Sequence, residues 1–289
     1  LLGGFPKRFK PESVFPMIDL KNEFMSYDMV NERILGYKLS LFNPSAYLKD
    51  EFRHIYDSKY TIDQPSLFSR SLNDVFSQSD REFFLIGMMK VNFLKRLESS
   101  VHSFDITLKR TVEKIDNLIA LINRFKEYQA ENPEVDLTDL MVSEPDDEDS
   151  PDTFEVGKLK VKLAHIKINE WLSSLQNDRH QLHSLELSAK EITPDRDAKL
   201  HELKKRIQNK AENPTTDKDG KKNRKLLVFT AYADTAAYLY KSLSVWAETE
   251  LGINVALVCG VTEGNKTTLG RPEFHQILAS FSPRSNQRA

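Results

Sequence analysis

The chain has very little cysteine: Cys259 is the single one among 289 residues. One thiol excludes a disulfide within the chain and argues against a cysteine-based metal site. We therefore expect a reducing, cytoplasmic location. The sequence also lacks any run of 18 apolar residues, which a membrane-spanning helix requires, so no membrane partner is expected. Because the chain begins Leu1-Leu2 without a methionine, we expect it to be a piece of a longer protein.

No strong excess of charge is present either, since the formal net charge is −2. The net charge therefore produces no strong electrostatic field that would by itself indicate a nucleic-acid partner. Two local basic clusters remain. They are Lys90, Lys95, Arg96, Lys109, Arg110 and Lys114, and then Lys204, Lys205, Arg206, Lys210, Lys221, Lys222, Arg224 and Lys225. Each could attract a phosphate backbone or could be a solvated helix face, and the sequence favours neither.

The strongest periodic signal lies between Arg81 and Tyr128, which contains no proline and one glycine. Its apolar residues recur about every 3.5 positions, the period of a helix that packs along another helix. They are Phe84, Met88, Val91, Leu94, Leu97, Val101, Phe104, Leu108, Val112, Ile115, Ile119 and Ile122. The pattern predicts one continuous helix of roughly 70 Å.

A second helix should return beside this one. Residues 131–153 are acidic and carry three prolines, which is typical of a mobile loop. Helical spacing resumes over 158–192, and another helix is expected from Pro194. We therefore predict a long antiparallel helical hairpin over residues 81–212. Before it, residues 1–80 should hold a short strand at 14–20, a helix at 22–41 and a helix that begins at Pro44.

The composition changes after the polar linker 213–225. Leu226 to Phe229 and then Ile253 to Gly260 are typical of buried strands, and each precedes a helical pattern. Strand–helix alternation predicts a parallel sheet, but two strands are too few to form one alone. The predicted fold is thus mainly α with a truncated α/β part over 226–289.

Two stretches resemble functional motifs only in part. Gly260, Gly264, Lys266 and Thr267 resemble a phosphate loop in composition, but the spacing of the glycines and the lysine is wrong. A solvated loop is therefore the favoured interpretation. His180 and His183 share a predicted helix face, which is more often solvated than metal-binding. No catalytic residue and no metal ligand can be assigned.

Several stretches resemble one family. "KLLVFTAYADTAAYLYKSL" (225–243) resembles the first strand and helix of the second motor lobe of superfamily-two helicases, in the Swi/Snf-like branch, with Phe229, Thr230 and Thr235 matching its pattern. "FHQILASFSPRS" (274–285) resembles the helix that follows. "GGFPKRFKPESVFPMIDL" (3–20) resembles the end of the first lobe, and "GMMKVNFLKRLESSVHSF" (87–104) resembles the helical insertion of large bacterial members.

The resemblance implies a RecA-like C-terminal part and a parent protein that is an ATP-dependent helicase or translocase, on DNA rather than RNA. ATP and Mg²⁺ would bind the parent and not this fragment, since the phosphate loop, the Asp-Glu box and the arginine finger are not in the sequence. The missing motor segments of the same chain would be its partners. Thr230 and Ala231, at the end of the predicted strand, are expected to contact the nucleic-acid backbone. Lys95 and Arg96 are expected to contribute charge.

Two other functions stay open at this point. The hairpin could be a protein-interaction scaffold without nucleic-acid activity. Alternatively, residues 260–267 could bind a nucleotide, although we expect ATP not to bind there because the spacing is wrong.

Overall fold

The computed structural model describes residues 10–57, 78–131, 141–142, 161–216, 220–260 and 264–282. This part of the chain is mainly helical. Its helices are α1 (Tyr27–Leu35), α2 (Arg53–Asp57), α3 (Gln78–Ser99), α4 (Val101–Glu131), α5 (Ile168–Lys190), α6 (Ala198–Glu212), α7 (Ala233–Leu251) and α8 (Phe274–Phe281). None of these described helices has the length and apolar content needed to cross a membrane.

The strands that the structure describes are two residues long and pair only in antiparallel ladders. They are β1 (Met141–Val142) with β2 (Val161–Lys162), β3 (Thr215–Thr216) with β4 (Lys222–Asn223), and β5 (Ala256–Leu257) with β6 (Lys266–Thr267). The parallel sheet predicted for the C-terminal part is therefore not formed by the described residues.

The centre of the molecule is the antiparallel packing of α4 against α5. Asp116 pairs with Arg179, and Lys126 donates to Asn169 over 3.1 Å, so positions rise along one helix as they fall along the other. The facing apolar side chains are fully buried: Phe104, Leu108, Ile115 and Ile122 on α4, and Leu175, Leu182 and Leu185 on α5. The antiparallel pairing agrees with the prediction, and so does the part of the apolar stripe that lies on α4. Phe84, Met88 and Val91 of the predicted stripe lie on α3 and are exposed instead. Burial of such side chains is the main stabilising term for long helices.

The prediction of one continuous helix from Arg81 to Tyr128 is wrong. The chain leaves helical geometry at Ser100, between α3 and α4. The Ser100 hydroxyl accepts a hydrogen bond from the Ser103 backbone N–H at 3.0 Å and so acts as the cap of α4. Serine side chains compete with the helical backbone in this way, and an apolar period alone does not reveal it.

α3 folds back along α4 at this corner. A straight helix would place Lys90 roughly 40 Å from the level of Asp116. Instead, Lys90 lies near Asp178 of α5: burial lowers the pKa of Lys90, and the charge of Asp178 raises it by a smaller amount. Asp178 directly precedes Arg179, the partner of Asp116, so Lys90 lies near the level of Asp116. The Lys90 ammonium donates to the Leu35 carbonyl at 2.7 Å. The result is three adjacent helices, α3, α4 and α5, instead of two.

Residues 10–57 pack on these three helices and contribute to the same core. The Ser40 backbone N–H donates to the buried Asp178 carboxylate at 2.6 Å, and the Trp171 indole donates to the Ser40 carbonyl at 2.8 Å. The helix predicted for 22–41 is shortened to α1. The helix predicted from Pro44 is replaced by 3₁₀ turns at Pro44–Tyr47 and Asp50–Phe52, followed by α2. Residues 14–20 form no strand, although Asp19 makes one isolated bridge to Asp197.

The C-terminal region departs furthest from its prediction. Leu226–Phe229 runs without a turn or bend but belongs to no ladder among the described residues, and Ala256–Leu257 is the paired part of the strand predicted at 253–260. Its partner, β6, lies in the predicted polar loop. The predicted linker 213–225 contains the β3–β4 hairpin. By contrast, α7 and α8 form where helices were expected. Most of the acidic segment 131–153 lies outside the described residues.

Candidate nucleic-acid interface

Three of the four predicted contact residues line one cavity. Lys95 near the end of α3, and Thr230 and Ala231 just before α7, border a space of about 660 Å³. The opposite wall comes from Leu200 and Leu203 of α6. The cavity lies where the α3–α4 corner, the start of α6 and the start of α7 meet. Residues 135 positions apart in sequence therefore share one site.

Four hydroxyl groups join the α3–α4 corner to the start of α7. The Ser99 hydroxyl lies 3.2 Å from that of Thr230 and 2.8 Å from that of Thr235, and the Ser100 hydroxyl lies 2.9 Å from that of Thr235. We call these four residues the hydroxyl cluster. Thr235 is buried within it. Thr230 and Thr235, two of the residues that carry the helicase resemblance, thus both contact the helical part of the molecule.

Arg96, the fourth predicted residue, lies beneath this surface. It is 6% exposed, and its guanidinium donates to Asp234 at 3.0 Å and to Ser103 at 3.2 Å. The guanidinium also stacks on the Tyr232 ring, 4.0 Å from its centre. Arg96 therefore holds the first turn of α7 against α3. Its side chain is already committed to protein groups.

Lys95 is the cation that the cavity leaves available. It is exposed, and it forms no hydrogen bond or ion pair with any residue that the structure describes. Lys199 also lines the cavity, but its ammonium donates to the Glu98 backbone carbonyl. Sequence reasoning missed Lys199, because only folding brings the start of α6 beside the end of α3.

The buried acid of the cavity is saturated by internal donors. One Asp197 oxygen accepts from the Leu200 backbone N–H at 2.9 Å and caps α6, while the other accepts from the Tyr238 hydroxyl at 2.8 Å. Burial and this carboxylate together raise the pKa of Tyr238 well above its usual range. Asp197 is therefore a structural group, and an aspartate directly before a helical pattern could have indicated a helix cap.

Several residues of the second basic cluster make contacts within the protein. Arg206 pairs with Glu202 at 2.9 Å, Arg224 donates to the Leu251 carbonyl at 2.6 Å, and Lys225 donates to the Phe281 carbonyl. Lys204 lies over the Trp246 ring. These contacts favour the interpretation of the second cluster as an internally used helix face, although Lys205 and Lys222 remain without such contacts among the described residues.

The phosphate-loop imitation does not fold as one in the part that is described. Lys266 and Thr267 belong to β6, and Asn265 accepts from the Cys259 backbone N–H at 3.4 Å. Residues 261–263 lie outside the description. His183 pairs with Glu186 on its own helix at 2.8 Å, and no group of three or more metal-ligating side chains occurs within the described ranges.

The stretch Leu226–Phe229, here called the apolar edge, was predicted to be buried and is exposed instead. Leu226 is 38% exposed, Leu227 64%, Val228 45% and Phe229 88%. Val228 and Phe229 also line the cavity. The apolar edge therefore leads directly to Thr230 and Ala231. A strand that is buried in a complete sheet would have this composition, but the described residues provide no sheet around it.

No protein-family model, no curated protein and no solved structure matches the chain.

Proposed function

We propose that this chain is part of an ATP-dependent helicase or translocase that acts on nucleic acid, DNA rather than RNA. The cavity at which Lys95, Thr230 and Ala231 meet is the observation that supports this proposal most. In the same proposal, residues 226–289 belong to a RecA-like lobe, and the exposed apolar edge is a strand that other motor segments would cover. The parent protein would be cytoplasmic.

The groups at the cavity suit a phosphate of a nucleic-acid backbone. Thr230 supplies a hydroxyl at the cavity, just before the start of α7 at Ala233. Lys95 adds an exposed positive charge. Such contacts position a protein on a backbone without reading sequence.

ATP and Mg²⁺ would be held by segments other than this one. A motor of this class needs a phosphate loop, an acidic pair for the metal and an arginine finger, and the sequence contains none of them. The present chain would bind the nucleic-acid backbone. The hydroxyl cluster would connect this binding surface to the helical part of the chain.

Fluorescence anisotropy with a labelled DNA duplex tests the proposal. Binding should weaken steeply as salt rises, because phosphate contacts release counterions. Lys95→Gln should lower the affinity and reduce the salt slope by about one. Lys205→Gln is the matched control, since Lys205 is exposed on α6 outside the cavity and without a described partner. Absence of binding at low salt, or equal effects of the two variants, would refute the proposal.

A protein-interaction scaffold is the second candidate. The first two thirds of α3 expose Phe83, Phe84, Met88 and Val91. An apolar helix face of this kind often contacts another protein. A folded chain that ignores DNA would favour this alternative.

A further inference from the structure

The exposed face of α3 is apolar along its middle. Phe84, Gly87 and Val91 recur at helical spacing on one side of the helix and are exposed, and Phe83 and Met88 flank them. None of these five residues lines the cavity. The face is therefore separate from the surface that we propose for nucleic acid.

Gly87 lies at the centre of this face. In the interior of a helix, glycine is destabilising relative to alanine, because it loses more conformational freedom on folding. A Cβ added to Gly87 would meet no described atom within 4 Å, so packing within the described chain does not require the glycine. A residue without a side chain on an exposed helix face permits close approach of another backbone.

The face is its own complement when it is reversed. If a second copy of α3 lies antiparallel, with the two-fold axis between Gly87 and Met88, Met88 of each copy lies against Gly87 of the other. In the same arrangement Phe84 lies level with Val91. Methionine fills irregular gaps well, and the glycine lets the helix axes approach to about 8 Å, the lower end of the usual range.

The charges at the two ends of the face favour the antiparallel direction. Asp80 precedes the face by one turn and Lys95 follows it by one turn, and both are exposed. An antiparallel second copy brings Asp80 level with Lys95, whereas a parallel copy would place like charges together. Because exposed ion pairs are weak, this pair would set direction more than affinity.

The other charged side chains of α3 are compatible with this arrangement. Glu82 and Arg96 are buried. Arg81 and Lys90 are half-buried, and each would lie level with a leucine of the second copy. Glu98 is exposed at the far end of the helix, past the level at which α3 of the second copy begins.

The exposed area of the face suits a weak dimer. Phe83 is 73% exposed, Phe84 56%, Val91 50% and Met88 38%. With about 200 Å² for an aromatic side chain, these residues offer roughly 400 Å² of apolar surface per copy. Two copies would cover roughly 800 Å² of apolar surface, which belongs to the class of concentration-dependent, transient interfaces.

We propose that α3 forms an antiparallel two-fold contact with α3 of a second copy of this chain, centred on Gly87 and Met88. The inference rests on the apolar face of the second candidate function and names its partner. It requires neither nucleic-acid binding nor motor activity.

Sedimentation equilibrium of the intact chain, from about 5 to 500 µM, is the first measurement. We expect a monomer–dimer equilibrium with a dissociation constant of about 10 to 100 µM. Gly87→Ala gives the sharpest readout, because its two expected effects have opposite signs. The variant should raise the melting temperature of the monomer, since alanine is the better helix former. It should weaken association at least about fivefold, since the added methyl group meets Met88 of the second copy.

Two further experiments test the surface and the direction. Met88→Asp should abolish association, whereas Val245→Asp, at an exposed valine on α7, should leave it unchanged; far-UV circular dichroism checks that both variants fold. Chains with Asp80→Cys and chains with Lys95→Cys, all in a Cys259→Ser background, are then mixed and treated with a short bismaleimide. Unlike variants should crosslink, whereas like variants should not, because antiparallel pairing separates like positions by roughly 20 Å along the axis.

A monomer up to about 500 µM, five times the upper expected constant, would overturn the inference. So would association that neither Gly87→Ala nor Met88→Asp weakens, or crosslinks chiefly between like variants. A chain that stays monomeric but binds the DNA duplex would overturn this inference alone, so its failure is distinguishable from failure of the nucleic-acid proposal.

Discussion

Two buried carboxyl groups, Asp19 and Glu82, have pKa values that are shifted in opposite directions. Asp19 is held by the Arg196 guanidinium and by the backbone N–H groups of Lys21, Glu23 and Phe24, and these donors hold its pKa well below the usual range. Glu82 has no cation, and burial raises its pKa in spite of hydrogen bonds from Ser45 and Gln78. Opposite pKa directions predict opposite dependences of stability on pH.

For Asp19, the folded state favours the ionised form. Its contribution to stability is present above the pKa of the unfolded chain, near 3.9, and is lost as pH falls through the lower folded pKa. Asp19→Asn should therefore lower the melting temperature at pH 7, and this difference should shrink below about pH 4. Thermal melts from pH 3 to 7 measure it. A difference that is constant with pH would contradict this account.

For Glu82, the folded state favours the protonated form. Its contribution is complete below the unfolded pKa and is lost as pH rises through the folded pKa. Glu82→Gln keeps the shape and an acceptor for the Ser45 N–H, so it should raise the melting temperature at pH 7 and have little effect near pH 4. Glu127→Gln, at an exposed site on α4, is the control and should change neither melt. A lower melting temperature for Glu82→Gln at pH 7 would show that the carboxylate is stabilising.

At the scale of elements, the corner at Ser100 decides the arrangement of α3, α4 and α5. Ser100 both caps α4 and bonds to Thr235 of α7. Loss of a serine cap costs about 1 kcal/mol, so Ser100→Ala should lower the free energy of unfolding in urea by about that amount or somewhat more. Ser173→Ala, at an exposed position within α5, should cost less than about 0.5 kcal/mol. If both variants lose the same free energy of unfolding, Ser100 does not stabilise α4 as a cap.

The fold-back of α3 can be measured directly. Spin labels at Phe83→Cys and Arg124→Cys, in a Cys259→Ser background, should be separated by less than about 30 Å when α3 lies beside α4. One continuous helix would separate them by roughly 60 Å. Phe83 and Arg124 are both exposed, so labelling should not disturb the core. The longer distance would restore the single-helix prediction.

The sequence predicted the structure well where each helix needs one apolar face. It predicted less where contacts between residues distant in sequence determine the conformation. The stripe on α4 and the spacing on α5 predicted their packing, because each helix needs one apolar face. The corner at Ser100 depends on one side chain that bonds to a backbone N–H, and the apolar period continues across it. The composition of Leu226–Phe229 indicated burial, but burial requires neighbouring strands that the described residues do not supply. Thr230 and Ala231 were predicted from a resemblance and Lys95 from a basic cluster, whereas Lys199 and the hydroxyl cluster required the folded chain.

At the scale of the whole molecule, the C-terminal segment is joined to the helical part at a few polar contacts. Arg96 of α3 meets Asp234 and Tyr232 at the start of α7, and the hydroxyl cluster lies beside this pair. Leu200, Tyr238 and Leu243 add a small apolar cluster between α6 and α7. Because the Arg96 guanidinium is buried, its charge depends on Asp234.

Asp234→Asn should therefore leave a buried cation without a charged partner. We expect the free energy of unfolding to fall by about 2 kcal/mol, within the range for loss of a charge-assisted hydrogen bond, and hydrogen exchange to rise first in the opening turns of α7. Arg96→Met combined with Asp234→Asn should recover part of the loss, because the uncompensated charge is then gone. Urea unfolding gives the energies, and the coupling between the two sites follows from the double-mutant cycle. If the two losses simply add, the Arg96–Asp234 pair does not connect α7 to the helical part, and the hydroxyl cluster alone would have to do so.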